Sequence, residues 1–255
     1  EVALGTVPIM FELYPDHLRA GAWEWFKAGQ SPDAAIPPKY SELISLGVAS
    51  QIPCDYCVYA HTTQAKMHGA TEAEIRTAIA SAAFTRHWST VLNGADISMD
   101  EFKKEWDGIL AHVKKQSEAK TTPENAKAEM EVALGTVPIM FELYPDHLRP
   151  GAWEWFKAGQ SPDAPIPPKY AELISLGTAS QIPCDYCVYA HTTQAKMHGA
   201  TEAEIRTAIA SAAFTRHWST VLNGADISMD EFKKEWDGIL AHVKKQSEAK
   251  KTGTE

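Results

Sequence analysis

Residues 1–120 of this 255-residue chain return as residues 131–250, and only four aligned positions differ: Ala20/Pro150, Ala35/Pro165, Ser41/Ala171 and Val48/Thr178. Whatever one copy folds into, the other must fold into as well. A period this long exceeds that of solenoid repeats, so each copy reads as a complete domain and not as one rung of a stack. The expected organisation is copy 1 over 1–120, a helical linker over 121–130, copy 2 over 131–250 and a tail over 251–255. A fused pair of identical folds packs most simply as a pseudo-two-fold dimer. A recent duplication and an engineered fusion would both leave this signature.

Each copy reads as all-α, about six helices, because no run alternates apolar and polar residues as a strand would. Val7, Met10, Phe11 and Leu13 fit a short helix from Glu1 to about Leu13. Thr122-Pro123-Glu124 supplies the second version of that helix with an N-cap and a proline in its first turn. Pro15-Asp16 starts a helix carrying Leu18, Trp23 and Phe26 to about Gly29. A break is expected at Ala20, since the second copy has Pro150 there and a helix interior resists proline by about 3 kcal/mol. Gln30 to Pro38 is a loop, which Pro165 in place of Ala35 suits.

Pro38 opens a helix through Leu43, Ile44 and Leu46 to about Ser50, and Pro53 opens the next, which stops at His68-Gly69. Thr71-Glu72-Ala73-Glu74 is a capping box for a long helix to Asn93-Gly94. Its Ala78, Ala80, Ser81, Ala82 and Ala83 allow close packing on a neighbour. Ser98-Met99-Asp100-Glu101 is a second capping box, and Met99, Phe102, Trp106, Ile109, Leu110 and Val113 behind it read as core or interface. Ser117 to Thr121 and Lys251 to Glu255 read as fraying ends.

The composition is globular, 44% hydrophobic and 22% charged, with a net charge of −9. Such an acidic balance argues against nucleic acid or an anionic membrane as partner. No apolar run reaches membrane-spanning length. The four cysteines all stand in CxxC pairs, which is not the framework of a small secreted protein. A cytoplasmic home is the expectation, with a periplasmic one open to a reactive CxxC.

The chemistry concentrates in Cys54-Asp55-Tyr56-Cys57-Val58-Tyr59-Ala60-His61. On a helix Cys54, Cys57 and His61 share a face. A thiol pair beside an imidazole is a redox arrangement, in which the base makes thiolate and the second thiol closes a disulfide. Glu42 joins them by arithmetic. It lies about eight residues before the turn at Gln51-Ile52-Pro53 and His61 about eight after, so at ~1.5 Å per residue both sit ~12 Å from that turn.

Each group then has a task. Glu42 fixes the imidazole tautomer. His61 removes the proton of a thiol whose free pKa is about 8.5. The thiolate attacks a peroxide oxygen, and the resulting sulfenic acid condenses with the partner thiol. The second copy repeats the set as Glu172, Cys184, Cys187 and His191.

Other readings compete. Zinc could take Cys54, Cys57 and His61, but zinc sites usually draw ligands from two separated segments, and no metal or cofactor is expected. His87 could line a pocket but reads better as packed beside Trp88, while His17, His68 and His112 read as surface or helix-end residues. A thiol–disulfide oxidoreductase without a peroxide role and a non-catalytic helical oligomerisation module are the alternatives.

The pattern Glu42-x11-Cys54-x2-Cys57-x3-His61 resembles the motif of the alkyl hydroperoxidase D family, within the carboxymuconolactone decarboxylase-like superfamily. The resemblance implies an all-helical fold, peroxidase activity through the CxxC pair and assembly of domains into a compact oligomer. It implies Cys57 as the peroxidatic thiol, Cys54 as the resolving one, and a lipoylated or thioredoxin-like reductant. Decarboxylases of the superfamily lack the CxxC, so the resemblance does not imply lactone decarboxylation. One residue departs from the pattern: Tyr56 and Tyr186 stand where the family has a histidine, and a phenol of pKa near 10 is a poor proton shuttle. For the choice of nucleophile, the helix N-terminus favours Cys54, whereas His61 favours Cys57 and Asp55 opposes ionisation of Cys54.

Overall fold

A computed structural model describes residues 4–31, 33–52, 54–95, 97–116, 126–144, 146–182, 184–225 and 227–252. The expectations for Pro53, for Thr122-Pro123-Glu124 and for residues 117–121 and 253–255 lie outside these residues. Among them every regular element is a helix. The first copy contributes α1 (Ile9–Glu12), α2 (Asp16–Gly29), α3 (Pro38–Ala49), α4 (Asp55–Met67), α5 (Glu72–Gly94) and α6 (Met99–Gln116). Then α7 (Ala126–Leu134) spans the junction, before α8 (Ile139–Glu142), α9 (Arg149–Gly159), α10 (Pro168–Ala179), α11 (Asp185–Met197), α12 (Glu202–Gly224) and α13 (Met229–Thr252). The chain is thus all-α, two tandem units of the same helical plan.

Local chemistry sets the boundaries. Thr71 and Glu74 form a reciprocal box, the Thr71 amide donating to Glu74 Oε2 at 2.8 Å and the Glu74 amide to Thr71 Oγ1 at 3.1 Å. Prolines 38 and 168 open α3 and α10, where a missing N–H costs nothing. Gly69, at φ +83°, ends the α4 hairpin arm in the left-handed conformation that other residues resist. The second box at Ser98 is looser, with the Glu101 amide 3.5 Å from Ser98 Oγ.

Two expected helices differ. Over the described residues 4–13 the expected N-terminal helix is instead a turn at Leu4–Thr6 followed by the four-residue α1. The second copy divides likewise into α7 and α8. Gly135 at φ +81° ends α7, and Pro138 has no N–H with which to continue a ladder. The break placed at Ala20 occurs only in the second copy. Ala20 keeps its amide and α2 runs unbroken over 14 residues, whereas α9 starts at Arg149 with Pro150 in its first turn and has 11. At the other end α13 carries on through Lys251 to Thr252.

Packing does not follow the repeat. A central core joins Leu43, Ile44, Leu46, Ile75 and Ala78 to their copies Leu173, Ile174, Leu176, Ile205 and Ala208. A second core sets Phe11, Phe26, Cys54 and Cys57 of copy 1 against Trp218, Phe232, Trp236 and Ile239 of copy 2. A third reverses the roles, with Trp88, Phe102, Trp106 and Ile109 packed on Phe141, Trp153, Cys184 and Cys187. The crossing element is α5, whose 23 residues reach about 35 Å. Its first half lies in the central core and its second half, from Thr85 to Leu92, in the core of the other copy. The unit of sequence is one copy, while one unit of packing joins α1–α4 to α12 and α13 and the other joins α7–α11 to α5 and α6. The α6 stripe read as core or interface is interface, Phe102 lying edge-on to Tyr186 with ring centres 5.1 Å apart.

The pseudo-dyad runs between α3 and α10. Tyr40 and Tyr170 stack across it with centroids 3.8 Å apart. Gly47 and Gly177 make the close approach possible, since a Cβ on either would come within 2.8 Å of Ile174 or Ile44 Cγ2.

Candidate functional site

The site begins at the turn between α3 and α4. The Gln51 amide donates to the Val48 carbonyl at 2.9 Å, and the chain re-enters helix at Asp55, leaving Cys54 as the N-cap of α4. Its Sγ accepts the Cys57 amide at 3.2 Å, and the two sulfurs are joined as a disulfide. Cys184 and Cys187 do the same at α11. One turn further along, His61 Nδ1 meets Glu42 Oε2 at 2.8 Å, and His191 meets Glu172 at 2.8 Å. The equal distances from the turn do place acid and ring opposite each other. All are deeply set: Cys54 is 1% exposed, Cys57 3%, Glu42 6% and His61 9%.

Sequence reasoning missed one participant, because it comes from the other copy. Thr215 of α12 is fully buried, with its carbonyl oxygen 3.9 Å from Cys57 Sγ and its hydroxyl 3.4 Å from His61 Nε2. That hydroxyl donates its hydrogen to the Ser211 carbonyl at 2.9 Å, so it presents a lone pair to the ring. His61 therefore stands between two acceptors, Glu42 and Thr215, and can donate to both once it has taken a proton. Thr85 repeats the arrangement at His191 and Cys187. The small-residue face noted on α5 was the available signal, because such a face allows a neighbouring helix to pack closely.

Tyr56 has a different role from the histidine that the motif would place there. Its hydroxyl donates to the Ile227 carbonyl of the other copy and its ring lies edge-on to Phe232, so it is a tether. Tyr186 does likewise at Ile97. Two further bonds fix α4 to α13: Trp236 Nε1 to Thr63 at 3.1 Å and the Tyr59 hydroxyl to Asp237 at 2.7 Å.

A cavity of about 400 Å³ opens onto Glu42 and His61 between the end of α2, α3 and α12. Its described walls include Trp25, Gly29, Ser41, Ser211 and Phe214. The second copy has its counterpart, also about 400 Å³, over Glu172 and His191. Asp33 and Glu42 line the first, Asp163 and Glu172 the second, and no Lys or Arg is among the described lining residues of either. Such walls offer no basic side chain among the described residues to pair with an anion.

The remaining histidines lie outside this arrangement. His87 is bonded to the Tyr144 hydroxyl and sits edge-on to Trp88 and Trp155, and this burial holds its pKa below the ordinary value. His217 is held the same way beside Tyr14, Trp25 and Trp218. His17 and His68 are exposed, whereas His112 is half-buried, its Nε2 3.1 Å from the Val132 carbonyl. Among the described residues no three His, Cys, Asp or Glu side chains are grouped as metal ligands. No helix among them is long and apolar enough to cross a membrane.

The model of the carboxymuconolactone decarboxylase family matches residues 15–98 and 151–228, one match in each copy. Among solved structures, the chain is similar to the crystal structure of a Burkholderia xenovorans LB400 protein assigned as a gamma-carboxymuconolactone decarboxylase subunit. That likeness has a TM-score of 0.54 at 16% identity, covering 88% of this chain and 93% of that one, and it speaks for the fold alone. No curated protein matches the chain in sequence.

Proposed function

The chain belongs to the carboxymuconolactone decarboxylase family, and from that premise we propose that it is a thiol-dependent peroxidase reducing hydrogen or organic hydroperoxides at two CxxC sites. The observation that carries the reading is the 2.8 Å bond from His61 Nδ1 to Glu42 Oε2, both lining a cavity, with Thr215 reaching from His61 Nε2 to the sulfur of the Cys54–Cys57 pair. The duplicate at His191 repeats it.

In the reduced chain His61 takes the proton of Cys57, and Glu42 supports the imidazolium. The Cys57 thiolate attacks the distal peroxide oxygen. An S–O bond forms, the O–O bond breaks, and the alkoxide leaves as alcohol with the proton from His61. Cys54 then attacks the sulfenic sulfur. An S–S bond forms, the S–O bond breaks, and hydroxide leaves as water with the proton that Cys54 gave up to the neutral His61, so the two thiols have supplied the two electrons. The place of Cys54 at a helix N-terminus, with the Cys57 amide on its sulfur, favours the thiolate that this second attack needs. An external dithiol, from a lipoyl or thioredoxin-like protein, restores the pair.

Stopped-flow mixing of reduced protein with peroxide tests this. Each copy is expected to form its intramolecular disulfide, Cys57→Ser with Cys187→Ser to abolish it, and Cys54→Ser to leave a sulfenic acid trappable by dimedone. His61→Gln is expected to slow its site about 10²-fold or more. Thiols that ignore peroxide but are oxidised by protein disulfides would favour the oxidoreductase alternative, and thiols inert to both a helical assembly module.

A further inference from the structure

Two of the four positions at which the copies differ sit at the cavities. Ser41 lines the first cavity where Ala171 lines the second, and Pro165, in place of Ala35, lines only the second. Ser41 Oγ lies 3.5 Å from Ser211 Oγ, so a hydroxyl pair crosses the first cavity one residue from Glu42. A serine pair has hydrogens and lone pairs to spare beyond the bond it makes to itself. In the second cavity the counterpart of Ser211, Ser81, shares the wall with the Ala171 methyl and the Pro165 ring.

We infer that the two cavities have diverged in what they select. The one over Glu42 favours neutral ligands that carry an additional hydroxyl more strongly than the one over Glu172, which lacks the Ser41 hydroxyl. This rests on the peroxidase reading for the class of ligand, small uncharged hydroperoxides and the alcohols they leave behind. Ser41 and Ala171 are the residues that set the difference. One hydrogen bond of ordinary strength, gained in one cavity and not the other, separates the preferences by about three- to tenfold.

Binding is measured through Trp25 and Trp155, which line the first and second cavity respectively. A Trp155→Phe chain reports the first cavity and a Trp25→Phe chain the second, each corrected by the double variant. Cumyl alcohol and 1-phenylethane-1,2-diol are titrated against both. The expected result is a diol-to-cumyl affinity ratio about three- to tenfold higher in the first cavity. Ser41→Ala should lower it to the value of the second cavity, and Ala171→Ser should raise the second to that of the first. Equal ratios, ratios that the exchange leaves unmoved, or binding of neither probe would overturn the inference. Failure of the peroxidase reading would show separately, as a diverged pair of cavities whose thiols peroxide does not oxidise.

Discussion

His87 and His217 are each wedged between tryptophan edges and a tyrosine hydroxyl, with pKa values pressed below the usual 6.5 by burial. The sign for stability follows directly. Between the folded value and 6.5 the unfolded chain binds more protons than the folded one, so stability falls as pH drops through this window. Denaturant midpoints are expected to decline from pH 7.5 to 5.5, and His87→Asn with His217→Asn to flatten that decline. At this scale the sequence was informative only within one copy. The pairing of Glu42 with His61 follows from equal distances to a turn, a local quantity. Thr215 could not be found that way, because nothing in a linear pattern says that a residue 154 positions away closes the gap between ring and sulfur.

Elements were legible where a cap or a left-handed glycine marks them, as at Thr71, Pro38 and Gly69. The N-terminal segment was not, because four apolar residues at helical spacing outweighed a glycine and a proline that in fact divide it. Glycine matters most in the α3–α10 contact, where Gly47 faces the branched carbon of Ile174. Gly47→Ala gains up to about 1 kcal/mol in helix propensity but drives a Cβ onto a stiff β-branched methyl, an overpacking cost of about 1–3 kcal/mol. A net loss of up to about 2 kcal/mol is expected by chemical denaturation. Ile174→Leu, which moves the branch outward, should recover most of it in the double variant.

For the whole molecule, the repeat announced two copies of one fold but not that they exchange halves. Amphipathic periodicity shows that a face must be covered and leaves open which copy covers it. The exchange makes a prediction for the isolated repeat. Residues 1–120 produced alone should sediment as a dimer, with helix content lost on dilution as the dimer dissociates, because α1–α4 have no core without a second α5 and α6. The covalent join has a further consequence for how such a molecule can change over time. In a symmetric dimer of separate chains any mutation alters both cavities together. Once the copies share a backbone, one cavity can change its lining while its twin keeps the old one, and Ser41 in the first against Ala171 in the second is a difference of that kind.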